Sequence, residues 1–213
     1  RGTLVAWSVA GDQGVKVTAR TGADLMAGAV FNIAPAPATK PRLVHGEAET
    51  GILFITGGSI RYVTLDPETG APSPMPRQLD PGQQVDHPAA ASVGASLVGA
   101  WTRPRSREVC LARLNQAALP SCVSVGVRVL GTTLASTGDD LLLAWMQGAL
   151  GGERVFYSVV NGRNLERGEA IAADPMDRKG TAPVAAGRVG RLALAWVVEG
   201  GTAGDVAVLQ IGG

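Results

Sequence analysis

The sequence predicts an all-β fold, a β-propeller of four-stranded blades, and three observations carry that expectation. A large aromatic recurs at the same place in five short apolar runs, at Trp7, Phe54, Trp101, Trp145 and Trp196, with spacings of 47, 47, 44 and 51 residues. A proline stands 13 residues before three of them, at Pro41, Pro88 and Pro183, so the repeat extends beyond one hydrophobic position. No segment keeps a 3.6-residue apolar period for three turns without Gly or Pro intruding, which removes the helical alternative. A repeat of this length built from strand-sized pieces is the pattern of propeller blades.

Within each repeat the pieces come in a fixed order. The first is the proline-bearing piece: Pro41–Val44, Pro88–Val93 and Pro183–Gly187, with Thr132 in the proline slot of the fourth copy. The second carries the aromatic: Leu4–Ser8, Ile52–Ile55, Leu97–Trp101, Leu141–Met146 and Leu192–Val198. It is apolar at nearly every residue, as a strand covered on both faces must be. The third alternates more: Ile60–Leu65, Glu108–Leu114, Arg154–Val160 and Val206–Ile211. Tight-turn pairs such as Thr69-Gly70 and Asn161-Gly162 then lead into a weaker fourth strand at Ala29–Ile33, Arg77–Leu79 and Ala170–Ala172. Asn-Gly suits a hairpin because both central residues of the twist-compatible turn need positive φ. The gradient from apolar second strand to alternating outer strands runs from a buried hub to a wet rim.

The whole chain, residues 1–213, therefore reads as one array with repeats of roughly 47 residues at about 1–38, 39–84, 85–128, 129–178 and 179–213. The first copy begins at its second strand and the last ends after its third. The expectation is a piece of a longer polypeptide, in a ring of five or more blades, whose missing strands a flanking or partner chain supplies. The first residue is Arg1, which agrees with a processed or excised chain.

Composition narrows the function classes. Net charge is +1, from 19 basic and 18 acidic residues, which gives no global attraction to nucleic acid or an anionic membrane. Hydrophobic residues make up 46%, with 29 Gly and 13 Pro, a mixture that suits many turns between buried strands and excludes disorder. No apolar run approaches the length of a membrane-spanning helix. Sixteen of the basic residues are Arg and three are Lys, which with abundant Ala and Gly points to a GC-rich bacterial coding sequence.

Candidate chemistry is sparse. Cys110 and Cys122 flank a hairpin centred near Gln116 and are positioned to face each other. A disulfide is the favoured reading, with two buried thiols or a metal site as the alternatives, and closing a loop of this size stabilises by roughly 2–3 kcal/mol. A bridge implies an oxidising compartment. His45 and His87 have the acidic neighbours Glu47, Glu49 and Asp86, but sequence alone does not bring them together, and a polar turn role is preferred to a metal or general-base site. Asp139-Asp140 reads as a solvated turn rather than a Ca²⁺ site. The tryptophans could stack on sugars, but their register inside apolar runs favours packing between blades, each buried ring stabilising by roughly 3 kcal/mol. Arg103, Arg105 and Arg107, in the turn between the second and third strands of the middle copy, form the sharpest positive cluster and the candidate partner-binding loop.

The order Pro-x-Val-Ala, small-residue turn, Leu-x-x-Ala-Trp, Gly-rich turn and alternating strand resembles the blades of bacterial secreted propellers related to the sialidase-like, Asp-box group. The Asp-box order itself is not met at Ala19–Asp24 or Val160–Arg163. The resemblance implies a sialidase-type mechanism, with arginines gripping a carboxylate and a Tyr nucleophile, for which Tyr62 and Tyr157 are the available tyrosines. Both fall in third strands, where aromatics fill the space between sheets, so packing is the preferred role. The reading is a non-catalytic extracellular or cell-surface (or periplasmic) propeller that binds protein or glycan, with no cofactor and no metal. The alternatives are a sialidase-like glycoside hydrolase fragment and a structural subunit of a surface assembly.

Overall fold

The computed structural model describes residues 2–8, 14–21, 26–35, 37–81, 84–148, 152–174, 178–198 and 205–212. They form five antiparallel sheets in chain order. The first contains β1 (Gly2–Ser8), β2 (Val15–Thr21) and β3 (Met26–Ala34), and the second contains β4 (Ala38–His45), β5 (Thr50–Thr56), β6 (Ser59–Leu65) and β7 (Arg77–Gln78). The third contains β8 (Asp86–Val93), β9 (Ser96–Arg103), β10 (Glu108–Arg113) and β11 (Ser121–Ser124), and the fourth β12 (Val129–Ser136), β13 (Asp140–Gln147), β14 (Arg154–Asn161) and β15 (Ile171–Ala172). The fifth contains β16 (Gly180–Arg188), β17 (Arg191–Val198) and β18 (Asp205–Ile211). Each sheet is a meander of neighbouring strands, and the described residues contain no helix. The expected turns at Gly22 and at 199–204 lie outside the described residues.

Successive sheets pack face to face, and the repeating aromatic fills the gap. Phe54 on β5 packs with Val15, Val17 and Ile33 of the first sheet, and Trp101 on β9 with Leu53, Ile55, Ile60 and Tyr62 of the second. Trp145 on β13 packs with Val98, Ala100, Val109 and Leu111 of the third, and Trp196 on β17 with Leu142, Ala144 and Val155 of the fourth. Each aromatic therefore faces the preceding sheet. Phe54 and Trp101 are fully buried, and Trp145 and Trp196 nearly so. Trp7 differs: it is half-buried, and it lies on the opposite face of β1 from Leu4 and Ala6, which pack toward the second sheet.

The first strands of the repeats, β4, β8 and β16 with their prolines and β12 with Thr132 in that slot, pack on one another and form the inner layer. Hydrogen bonds tie each to the next. Arg42 Nε donates to the Pro88 carbonyl at 3.0 Å, the Thr132 hydroxyl donates to the His87 carbonyl, and the Ala185 amide donates to Thr133 Oγ1 at 3.1 Å. At Gly187 the approach is so close that a Cβ would stand 2.0 Å from the Ser136 carbonyl oxygen, which requires glycine there. Small side chains on these strands leave an axial cavity of about 680 Å³, lined by Val44, Ala91, Ser92, Ala135, Ser136 and Ala186 among others.

Candidate functional site on the axis

The proline slot turns out to be a bulge. Lys40, His87 and Ala182, each immediately before its proline, have φ of 53°, 50° and 50°. The ladder register shifts at those points, between Thr39 and Arg42, Asp86 and Ala89, and Thr181 and Val184. Proline has no N–H to give the ladder, so the strand bulges there, and the preceding residue takes a left-handed conformation that costs a non-glycine residue about 1 kcal/mol or more. Strand β12, with Thr132 in the slot, shifts register between Val129 and Gly131. All four inner strands thus change course near their beginnings, at one mouth of the axis.

That mouth gathers charge. The Lys40 ammonium of β4 pairs with Asp86 of β8, and His87 Nε2 lies 3.6 Å from the other Asp86 oxygen. The His87 backbone N–H also donates to Asp86 at 2.6 Å. Arg128, just before β12, is exposed and near enough that its charge opposes protonation of His87. Burial holds the His87 pKa below the usual histidine value; Asp86 pulls the other way, but Lys40 and Arg128 add to the burial effect. Burial pushes Asp86 up, yet the hydrogen bonds from Lys40 and the His87 N–H, with the charges of both groups, hold it below the usual carboxylate range. Near neutral pH the mouth therefore offers an ionised carboxylate, a neutral imidazole and two cations.

The structure separates residues that sequence placed together. His45 sits at the other end of β4, where Nδ1 is 2.7 Å from Thr50 Oγ1, so the two histidines do not converge. Among the arginines of the middle turn, Arg103 is committed inward: Nε and Nη2 meet the two oxygens of the buried Asp80 at 2.8 and 2.7 Å, and Nη1 meets Glu108 at 3.2 Å. Asp80 also accepts from Trp101 Nε1 at 2.7 Å. Arg107 donates to the Gly126 carbonyl at 2.9 Å, and Arg105 is exposed. Tyr62 is buried between the second and third sheets and donates to Glu49 at 2.7 Å. Burial first, then that carboxylate, pushes its phenol pKa up. Tyr157 packs with the core between the fourth and fifth sheets. Neither tyrosine belongs to the axial mouth.

Cys110 and Cys122 are directly opposite on β10 and β11 and form a disulfide. Glu108 lies beside them, but with both sulfurs in the bridge these three residues do not offer a metal-ligand set. The carboxylates Asp139 and Asp140 sit at the turn between β12 and β13, at the end away from the charged mouth. Sequence reasoning singled out His87 and Asp86 but not Lys40 or Arg128. The signal that could have found Lys40 was its position next to a repeat proline, equivalent to His87 one blade later.

No protein-family model matches the chain, and no curated protein matches it in sequence. Solved structures do. An α-L-arabinofuranosidase from Podospora anserina aligns at TM-score 0.54 and 8% identity, over 98% of this chain and 86% of that one. An endo-1,4-β-xylanase from Bacteroides thetaiotaomicron aligns at TM-score 0.53 and 10% identity, over 97% and 89%. A sialidase from Streptococcus pneumoniae aligns at TM-score 0.59 and 8% identity, over 93% of this chain and only 36% of its own. At such identities the likeness is one of fold: the chain is an all-β protein of propeller type, similar to sialidase-like and arabinofuranosidase propellers. No helix in the described residues is long and apolar enough to cross a membrane.

Proposed function

We propose that this protein is a carbohydrate-directed propeller of an oxidising, extracytoplasmic compartment, and that it receives a sugar at the charged axial mouth. The observation that carries this reading is the meeting of Lys40 on β4 with Asp86 and His87 on β8, with Arg128, just before β12, near enough for its charge to act on His87. An ionised carboxylate flanked by cationic and imidazole donors matches the needs of vicinal hydroxyls, which each give one hydrogen bond and accept others. The bulges set the backbone at Lys40 and His87, and the contacts with Asp86 orient both side chains toward it, which lowers the ordering cost of binding. The buried tryptophans serve packing in this reading, and sugar recognition is polar. Arg105, exposed on the neighbouring turn, extends the cationic surface toward a longer glycan or an acidic partner.

Hydrolysis is the second reading, and the resemblance in fold to glycoside hydrolases favours it. Glycoside cleavage generally needs two carboxyl groups, one protonated and one ionised. Asp86, held ionised, suits the base or nucleophile role, and the acid would have to come from outside these four residues. A glycan-array screen, paired with chromogenic arabinofuranosides, xylosides and sialosides, separates the two. Binding without turnover, lost in Asp86→Ala and Arg128→Ala, supports recognition. Turnover abolished by Asp86→Asn supports hydrolysis. Neither binding nor turnover on any glycan overturns both.

A further inference from the structure

β11 is the outer strand of the third sheet, and among the described residues it pairs only with β10, so its far edge is open. The ladder decides which backbone groups face outward. The Val125 amide donates to the Arg107 carbonyl at 2.9 Å, so pairing runs on past β11, and Val123, two residues earlier, likewise turns its N–H and C=O toward β10. Cys122 and Ser124 alternate with these residues and turn theirs out. The Cα separation of 4.0 Å between Cys110 and Cys122 agrees, because the closely spaced pairs of an antiparallel ladder are those that do not bond each other. The disulfide ties this edge to β10, so the strand is ordered before anything meets it.

This edge differs from those of the outer strands β3, β7 and β15. β7 and β15 have two residues each, and the ladder of β3 carries two register shifts, features that blunt an edge. β11 meets β10 without a shift and has neither charge nor proline. Apolar side chains stand bare beside it: Leu119 is 87% exposed, Val123 47% and Val127 41%. Charge is uneven along the edge. At the Ser124 end, Arg107 Nη1 donates to the Gly126 carbonyl at 2.9 Å, exposed Arg105 is on the same turn, and exposed Arg128 follows just beyond Gly126. Glu108, opposite Ser124, is already engaged by Arg103 Nη1 at 3.2 Å and Ser106 Oγ at 2.7 Å. At the Ser121 end, Arg167 Nη2 donates to the Ser121 carbonyl at 2.7 Å, and Glu166 and Glu169 lie beside Arg167 on its loop. The excess of positive charge therefore belongs to the Ser124 end.

We infer that β11 is a docking edge for an extended acidic peptide of a partner protein, added antiparallel, with acidic residues alternating with apolar ones in its N-terminal half. An antiparallel strand begins where β11 ends, which sets its first residues beside Arg105, Arg107 and Arg128. Cys122 and Ser124 supply the backbone hydrogen bonds, Leu119 and Val123 the apolar contact, and the arginines the selection for negative charge. The inference uses none of Lys40, Asp86 and His87 and is independent of the sugar reading.

The probe is a fluorescently labelled hexapeptide with blocked ends, Asp-Val-Glu-Val-Thr-Val, and its counterpart has lysine in place of both acidic residues. Anisotropy measures the affinity of each for the full chain, and amide hydrogen exchange locates the bound peptide. The acidic peptide is expected to bind about tenfold or more tightly than the lysine one, to weaken as salt rises, and to slow exchange at Cys122 and Ser124. Ser124→Pro removes an outward N–H without touching the ladder to β10 and should abolish binding, whereas Ser124→Ala should keep it. Arg105→Glu, a change at an exposed position, should leave stability unaltered and weaken the acidic peptide by about fivefold, and it decides the matter if the proline variant does not fold. The inference is overturned by no binding of the acidic peptide, by equal affinity for the two peptides, by binding unchanged in Arg105→Glu, or by protection confined to residues away from β11. A free chain that dimerises by pairing β11 with a second copy would overturn it as well.

Discussion

Removing the Asp80 carboxylate should cost this fold more than any other single polar change in the middle blades. Asp80 is 1% exposed and lies where the second sheet hands over to the third. One of its oxygens accepts from both Trp101 Nε1 and Arg103 Nε, and the other from Arg103 Nη2, all within 2.8 Å. Asp80→Ala leaves the guanidinium with Glu108 as its remaining carboxylate and strands an indole N–H in a fully buried ring. Breaking a buried pair from one side costs about 3–5 kcal/mol, and an unsatisfied buried donor about 1–3 kcal/mol. Arg103 keeps 19% of its side chain in water and keeps Glu108 at 3.2 Å, which places the total near the low end, about 3–4 kcal/mol. Asp80→Asn keeps one acceptor oxygen for Trp101 Nε1 and Arg103 Nε but sets an amide NH2 against Arg103 Nη2, so it loses the charge and one hydrogen bond, and a cost of about 2–3 kcal/mol is expected. Urea unfolding followed by tryptophan fluorescence measures both, with the slope checked for constancy. If Asp80→Ala changed stability by less than about 0.5 kcal/mol, the size of an ordinary surface substitution, the blade-joining role of this cluster would be wrong.

The remaining expectations concern separate parts of the molecule. Because the His87 pKa is lowered on folding, its neutral form is favoured; the stability it contributes is full above the ordinary histidine value of 6.5 and is lost as pH falls through that value toward the folded pKa. His87→Gln should flatten the stability-versus-pH curve in that window. Asp86, also lowered, adds a second loss at more acidic pH, beginning near the ordinary aspartate value of 3.8, which Asp86→Asn removes. Reducing the Cys110–Cys122 bridge should lower stability by about 2–3 kcal/mol, read as a drop in unfolding midpoint with reductant. Gly187→Ala should cost about 2–3 kcal/mol, because its Cβ meets the Ser136 backbone and one inner strand must move away from the next; an unchanged midpoint would mean that β12 and β16 do not approach this closely.

The blade rhythm was open to reading from sequence because it rests on apolar strands whose covered faces leave no choice of residue. Phe54, Trp101, Trp145 and Trp196 recur in register because each fills the same gap between sheets. Trp7 has the same local sequence and a different burial, since the others are covered by the preceding sheet and Trp7 lies on the face of β1 turned away from the second sheet. The proline slot was visible, but the bulge behind it was not: a left-handed residue before proline runs against local preference, and only the crowded inner layer fixes it. The site was the least accessible part. Lys40, Asp86 and Arg128 are separated by about one repeat each, and only the packing of successive sheets brings such residues near one another. Arg103 looked available because Asp80, the residue that occupies it, is 23 positions away.

The most direct test is a crystal structure with the best ligand from the glycan screen bound. The sugar is expected at the charged mouth, with hydroxyls on Asp86 and His87 and with Lys40 or Arg128 in contact. Sugar density confined to the outer strands or the opposite end of the axis would contradict the proposed role of that mouth.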